Sequence, residues 1–147
     1  MRTREGSRVD SFLDMGCGSG ILAIAAKKLG FGQVTGFDVD AEAVAAAVAN
    51  ASKNAVAAEF FKYGLGSKTR RELPKADLVA ANILGPLLIK FAGEIVPTVG
   101  KYLIISGILA EIYPEVTAAF EALGLKELEN LTIGEWTTGL LTSTAGL

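Results

Sequence analysis

The 147-residue sequence contains no histidine and a single cysteine, Cys17. The first absence removes the usual general base of neutral-pH catalysis and the commonest metal ligand, so any chemistry here proceeds without imidazole. The second makes an intramolecular disulfide impossible and leaves no cluster for structural zinc, so no metal site is expected. Long apolar runs are missing as well. Half of the residues are hydrophobic, but they fall in short blocks broken by Gly, Asp, Lys or Glu, far from the roughly 20 consecutive positions that cross a bilayer. Met1 to Asp10 is polar and mixed in charge, without the apolar stretch of a secretory leader, and a cytoplasmic protein is the expectation. Positive charge is not in excess: a net charge of -2 and a pI near 5.2 count against strong nucleic-acid binding. The local cluster Lys68, Arg70, Arg71 and Lys75 reads as a solvated loop between two strands.

What is present is an alternation. Phe12 to Met15 is a short apolar run ending in a glycine loop, and Ile21 to Leu29 reads as a helix closed by Lys27, Lys28 and Gly30. A second strand, Val34 to Phe37, ends at Asp38, and Asp40 is a natural N-cap for a helix whose Val44, Ala47, Val48 and Ala51 share one face. Phe60 and Phe61 mark a third strand, and Asp77 to Ala80 a fourth that ends at Ala81-Asn82. Leu84, Leu87, Leu88 and Phe91 have helical spacing, which predicts a helix over about 85–95 with Pro86 tolerated in its first turn. Tyr102 to Ser106 is the most hydrophobic strand. Pro114 opens a helix with a Val116, Ala119, Phe120, Leu123 stripe. Leu125 to Ile133 and Trp136 to Thr142 read as two strands joined tightly at Gly134-Glu135, a hairpin in which Trp136 is expected in the core. Such a pattern implies an α/β fold with a mostly parallel sheet and helices on both faces, its ligands at the carboxyl ends of the strands.

The glycine loop, Asp38 and Asn82 all fall at such ends. Gly16, Gly18 and Gly20 let the backbone turn sharply and let a ligand approach without a Cβ in the way, and the following helix offers its N-terminal N–H groups. Alone, this spacing suits a dinucleotide as well as S-adenosylmethionine. Asp14 separates the two. Lying two residues before the first glycine, its carboxylate would repel a pyrophosphate but attract the ammonium and sulfonium of S-adenosylmethionine, whose carboxylate the N–H groups can take. Asp38, 18 residues after Gly20, suits a ribose diol in either ligand. Cys17 has no adjacent base and is not read as a nucleophile.

These segments, Asp14 to Ala26 and Val34 to Asp40, with Ala43-Val44, Asn50-Ala51, Asn54, Asp77 to Leu84, Ser106 to Leu109 and Glu135-Trp136, resemble the PrmA-type methyltransferases, which trimethylate amino groups of the ribosomal stalk protein L11. The resemblance covers nearly the whole chain, with Asn82-Ile83-Leu84 and Ser106 to Leu109 its more particular parts. It implies a three-layer Rossmann-like class I methyltransferase fold, with a mostly parallel seven-stranded sheet and a C-terminal antiparallel hairpin, over residues 11–147 after a short segment 1–10. It implies S-adenosylmethionine as cofactor, S-adenosylhomocysteine as product and a methyl acceptor such as a ribosomal protein. Asp14, Gly16, Cys17, Gly18, Ser19 and Gly20 are then expected around the methionine end, Asp38 on the ribose, Val39 on the adenine, and Asn82 beside the transferable methyl, orienting the substrate amine as the one catalytic candidate. Family members also carry an N-terminal domain that docks the ribosomal protein and a Phe-Gly-Thr-Gly-x-His segment ahead of the core. About ten residues precede the first strand here, and the histidine-free sequence has no such segment.

Overall fold

The structure, a computed structural model, describes residues 8–69 and 71–144. The chain divides into two compact units, Met1–Arg70 and Arg71–Leu147, and the boundary falls in the basic excursion anticipated as a loop. Of that cluster, Lys68, Arg71 and Lys75 are exposed, and Arg70 lies outside the described residues.

In the first unit the chain runs through β1 (Ser11–Met15), α1 (Ile21–Lys28), β2 (Gln33–Asp38), α2 (Ala41–Lys53) and β3 (Glu59–Lys62). The three strands pair in parallel: Asp14 lies opposite Gly36, and Phe37 opposite Phe61. The helix ends are written locally. Gly20 enters α1 at φ 83°, a conformation costly for any residue with a Cβ. Lys27 and Lys28 occupy the last turn, where the helix end is negative. Asp40 caps α2 as expected, its carboxylate accepting the Glu42 N–H at 2.9 Å. The buried stripe of α2 is narrower than the spacing suggested. Ala47 and Ala51 are buried, but Val48 is 52% exposed, because it stands a full 100° around the helix from Ala47.

The second unit contains β4 (Ala76–Asn82), α3 (Gly85–Ile95), a 3-10 turn (Val96–Thr98), β5 (Val99–Leu109), α4 (Tyr113–Glu121), β6 (Leu125–Ile133) and β7 (Trp136–Ser143). Here β4 and β5 are parallel, while β7 is antiparallel to both β5 and β6. The fold is therefore α/β with a mixed seven-stranded sheet of order β3-β2-β1-β4-β5-β7-β6, ending in the antiparallel hairpin.

Leu103, Ile105, Ile108 and Leu141 are fully buried on the face where α3 and α4 pack. Close approach there needs a glycine: a Cβ on Gly85 would lie 2.6 Å from Ile112 Cδ1. The buried face of α3 is Leu88, Ala92 and Ile95, while Leu84 and Leu87 of the expected stripe are exposed. Leu84 is the N-cap and not part of the helix. Similarly, α4 ends at Glu121, so Leu123 leaves the Val116 and Phe120 face and is 47% exposed. Trp136 corrects the core expectation. It is 52% exposed, because its register opposite Ile133 and Leu109 sets it at the turn end of the hairpin, on the opposite side of the strand from buried Thr137. β5 is longer than predicted because the strand passes through an irregularity between Ile105 and Ile108, where Gly107 adopts φ 76°, a conformation typical of a bulge glycine.

Candidate functional site

The loop between β1 and α1 is built from backbone hydrogen bonds. Gly16 and Cys17 both donate to the Phe37 carbonyl at 2.9 Å, and Gly20 donates to the Cys17 carbonyl at 2.8 Å. Gly16, Gly18 and Gly20 all have positive φ, so all three glycines predicted for the turn are required by it. Their surroundings differ. A Cβ on Gly20 would meet Ala47 of α2 at 3.0 Å, whereas one on Gly18 would meet nothing within 4 Å. Gly20 thus serves close helix packing, and Gly18 leaves open space. Ser19 is exposed, and its carbonyl accepts the Asn50 side-chain amide at 3.0 Å. Asn50 was not singled out for the loop by sequence reasoning, since nothing in spacing links positions 31 apart.

Two carboxylates flank this loop in opposite states. Asp38, at the end of β2, accepts the Gly18 N–H at 2.9 Å on one oxygen and the Asp40 N–H at 3.0 Å on the other. Asp14 is 1% exposed, and neither of its oxygens has a hydrogen bond of good geometry among the described residues. Burial pushes its carboxyl up from 3.8 to about 6; the Ala23 N–H in the first turn of α1 opposes the rise, and the negative charge of Asp38 adds to it. An unpaired carboxylate so deeply buried is costly unless a cation or donors arrive.

Cys17 is buried, and its thiol is pushed up to about 12 by burial first and then by Asp14 and Asp38. A thiol so held is a poor source of thiolate. Val39 stands next to Asp38 with 69% of its surface exposed. Its Cγ2 would lie 3.2 Å from a Cβ on Gly64, so that glycine keeps the space beside Val39 open.

In the second unit, Asn82 ends β4 as predicted and is exposed. Its Oδ1 accepts the Ser106 hydroxyl at 3.1 Å. A Cβ on Gly107, at φ 76°, would fall 2.8 Å from that same oxygen, so the glycine makes room for the amide. The Ser106-Gly107 pair was legible as a motif, but its contact with Asn82 was not. A glycine inside an apolar strand run was the available signal of a bulge.

The loop fits a zwitterionic ligand that is also cationic. Asp14 lacks a positive partner, the uncapped N-terminus of α1 suits a carboxylate, and Asp38 retains lone pairs for hydroxyl donors. The family model described as ribosomal protein L11 methyltransferase (PrmA) matches residues 2–143. A protein of that name from Geobacter metallireducens is 42% identical over 127 residues, which cover 84% of this chain and 41% of the relative. Another, from Pseudomonas savastanoi pv. phaseolicola, is 46% identical over 110 residues, covering 74% of this chain and 37% of the relative. The chain thus spans about two-fifths of the length of the relatives it matches. The crystal structure of a ribosomal protein L11 methylase from Lactobacillus delbrueckii subsp. bulgaricus superposes with a TM-score of 0.84 at 29% identity, over 92% of this chain and 71% of that one. An RNA methyltransferase from Salinibacter ruber, solved with S-adenosyl-L-homocysteine, shares the fold with a TM-score of 0.70 at 18% identity, over 90% of this chain and 80% of that one.

Proposed function

The chain belongs to the ribosomal protein L11 methyltransferase (PrmA) family, and from that premise we propose that it binds S-adenosylmethionine and methylates amino nitrogens of a ribosomal protein. L11 is the acceptor for which its relatives are named. The observation that carries the cofactor reading is Asp14, a buried carboxylate with no partner of its own beside a glycine loop and a helix N-terminus. Asp14 and Gly16 to Gly20 would hold the methionine end, the carboxylate taking positive charge and the first-turn N–H groups of α1 taking the ligand carboxylate. Asp38 would accept ribose hydroxyls on the lone pairs left by Gly18 and Asp40, and the exposed Val39 would pack on the adenine.

When bound, this cofactor supplies a methyl group already activated on a sulfonium sulfur. The residues of the chain then bind, orient and exclude water, and no histidine is needed. An acceptor lysine, with an ordinary pKa of about 10.4, reacts only as the neutral amine, and desolvation lowers its hold on the proton. Asn82 Oδ1 has one acceptor position taken by Ser106 and a second for an amine N–H. The amide can orient the nitrogen without adding charge that would favour the ammonium. A ribosomal acceptor goes with a cytoplasmic setting, and no described helix is long and apolar enough to cross a membrane.

Calorimetric titration with S-adenosylhomocysteine and with NAD tests the cofactor assignment: the first is expected to bind and the second not to, and the reverse result overturns it. Mass spectrometry of purified L11 after incubation with the chain and S-adenosylmethionine tests the acceptor. Methylated lysine or N-terminal amine is the expected product. Cofactor binding with no transfer leaves a cofactor-binding domain that is inactive alone or acts on a different substrate, the second reading of the same site.

A further inference from the structure

We propose that Asp14 makes cofactor capture a proton-linked step: the cationic end of the ligand binds the ionised carboxylate, so a protein molecule that holds the Asp14 proton releases it on binding. The inference rests on the S-adenosylmethionine reading and adds to it how the site responds to its environment.

The geometry begins with the contrast between two neighbouring acids. Both Asp38 oxygens accept backbone N–H groups. Both Asp14 oxygens are buried with no hydrogen bond of good geometry among the described residues, which favours the neutral form, and the Ala23 N–H offsets that burial only in part. The groups that bear on Asp14 offer no compensation. From β2 comes the Asp38 carboxylate, from the loop comes the buried Cys17 thiol, and from α1 comes the Ala23 N–H alone. The first turn of α1 carries no acidic side chain, and the helix's last-turn lysines, Lys27 and Lys28, stand at its far end. The loop therefore holds a negative site for which no cation appears among the groups that set its charge state, and the ligand must bring one. The carboxyl's rise to about 6 puts the linkage in an accessible range. The step balances as written: the Asp14 carboxyl loses its proton to the buffer, the resulting carboxylate pairs with the ligand ammonium, and no other bond is made or broken.

The sign follows from linkage. Well above pH about 6 the free protein already holds Asp14 ionised, so no proton is released and affinity is independent of pH. Below that point the free protein carries the proton and the complex does not, so affinity falls by up to about tenfold per pH unit.

The test is titration calorimetry of the chain with S-adenosylhomocysteine, which keeps the ammonium but lacks the sulfonium. It is run in two buffers of different ionisation enthalpy at about pH 5.5 and about pH 8. The expected result is release of most of one proton at the lower pH and almost none at the higher. Methylthioadenosine, which has the nucleoside but no cationic group, is expected to bind weakly and to release none. Asp14→Asn is expected to abolish the release. Because that variant could also lose binding, the carboxyl carbon of Asp14 is followed by NMR in the unaltered chain. It should titrate near pH 6 when free and at least about one unit lower when saturated. An Asp14 titration that saturation leaves in place, or equal proton release with methylthioadenosine, overturns the linkage while leaving cofactor binding intact. Failure of S-adenosylhomocysteine to bind at either pH overturns the underlying assignment instead.

Discussion

The carboxyl end of β1 and the carboxyl end of β4 both carry a polar residue to which we assign a ligand, and the surroundings of the two differ. Asp14 is a charge-bearing group buried at 1% exposure with no partner, so its preference for the ionised form is weakened until a cation arrives. Asn82 is an exposed neutral amide already oriented by the Ser106 hydroxyl and given room by Gly107. One holds electrostatic tension and the other holds geometry. The proposed roles call for such a difference: fixing a charged ligand needs a field, whereas aligning a nitrogen that must stay neutral needs a fixed acceptor without a charge.

The largest effect should come from breaking the neutral side. Asn82→Ala is expected to reduce methyl transfer by at least about 100-fold, the order of loss produced by misplacing a reacting atom, while S-adenosylhomocysteine affinity stays nearly unchanged. Methyl incorporation and calorimetry measure the two separately, and transfer at full rate removes Asn82 from the role. Breaking the charged side should produce the converse. Asp14→Asn is expected to weaken binding at pH about 8 by 10- to 100-fold, since a charge-assisted contact is worth about 1.5–3 kcal/mol. The same variant should stabilise the unliganded protein. Because the folded carboxyl is raised from 3.8 to about 6, its stabilising contribution is complete below pH 4 and lost as pH rises through 6. At neutral pH the ionised form costs on the order of 3 kcal/mol. Thermal unfolding at pH 7.5 should show the variant with the higher midpoint and at pH 4 little difference. A lower midpoint at both values breaks the claim of tension at Asp14.

These two regions were not equally legible in the sequence. The strand, loop and helix around Asp14 could be read because glycine at φ 74°, 52° and 83° is a local requirement that the residues themselves announce. Asp40 likewise capped α2 as its type and position demanded. What failed was side-chain burial decided by distant neighbours. Trp136, Val48 and Leu87 are exposed although each belongs to an apolar pattern, because spacing gives a residue's side of an element and not what packs against that side. The same limit hid the contact between Ser106 and Asn82, 24 residues apart, and the one between Asn50 and Ser19. Both arise from strand register and helix packing, to which sequence separation is blind. That burial outweighs the Ala23 N–H at Asp14 could not be read at all, since it depends on the position of every nearby N–H.

Asp38 refines the comparison, because both of its carboxyl oxygens already accept backbone N–H groups. Asp38→Ala is expected to weaken S-adenosylhomocysteine binding by about tenfold or more, the equivalent of about 1.4 kcal/mol, partly through the ribose contact and partly because the Gly18 N–H loses its acceptor. Unchanged affinity by calorimetry takes Asp38 out of the site.

The smallest effect should be at Ser106, and it separates orientation from contact. Its hydroxyl donates to Asn82 Oδ1 at 3.1 Å, so in Ser106→Ala the amide keeps its atoms but loses the bond that selects which end faces which way. One such hydrogen bond is worth about 1 kcal/mol, a loss of about fivefold in transfer rate. Affinity for cofactor should not change, because the hydroxyl donates to Asn82, the residue assigned to the acceptor amine. Ser106→Thr retains the hydroxyl and should recover most of the rate. If alanine and threonine lose rate equally, with a matching fall in thermal stability, Ser106 supports the strand and not the amide, and the orientation of Asn82 must come from Gly107 alone.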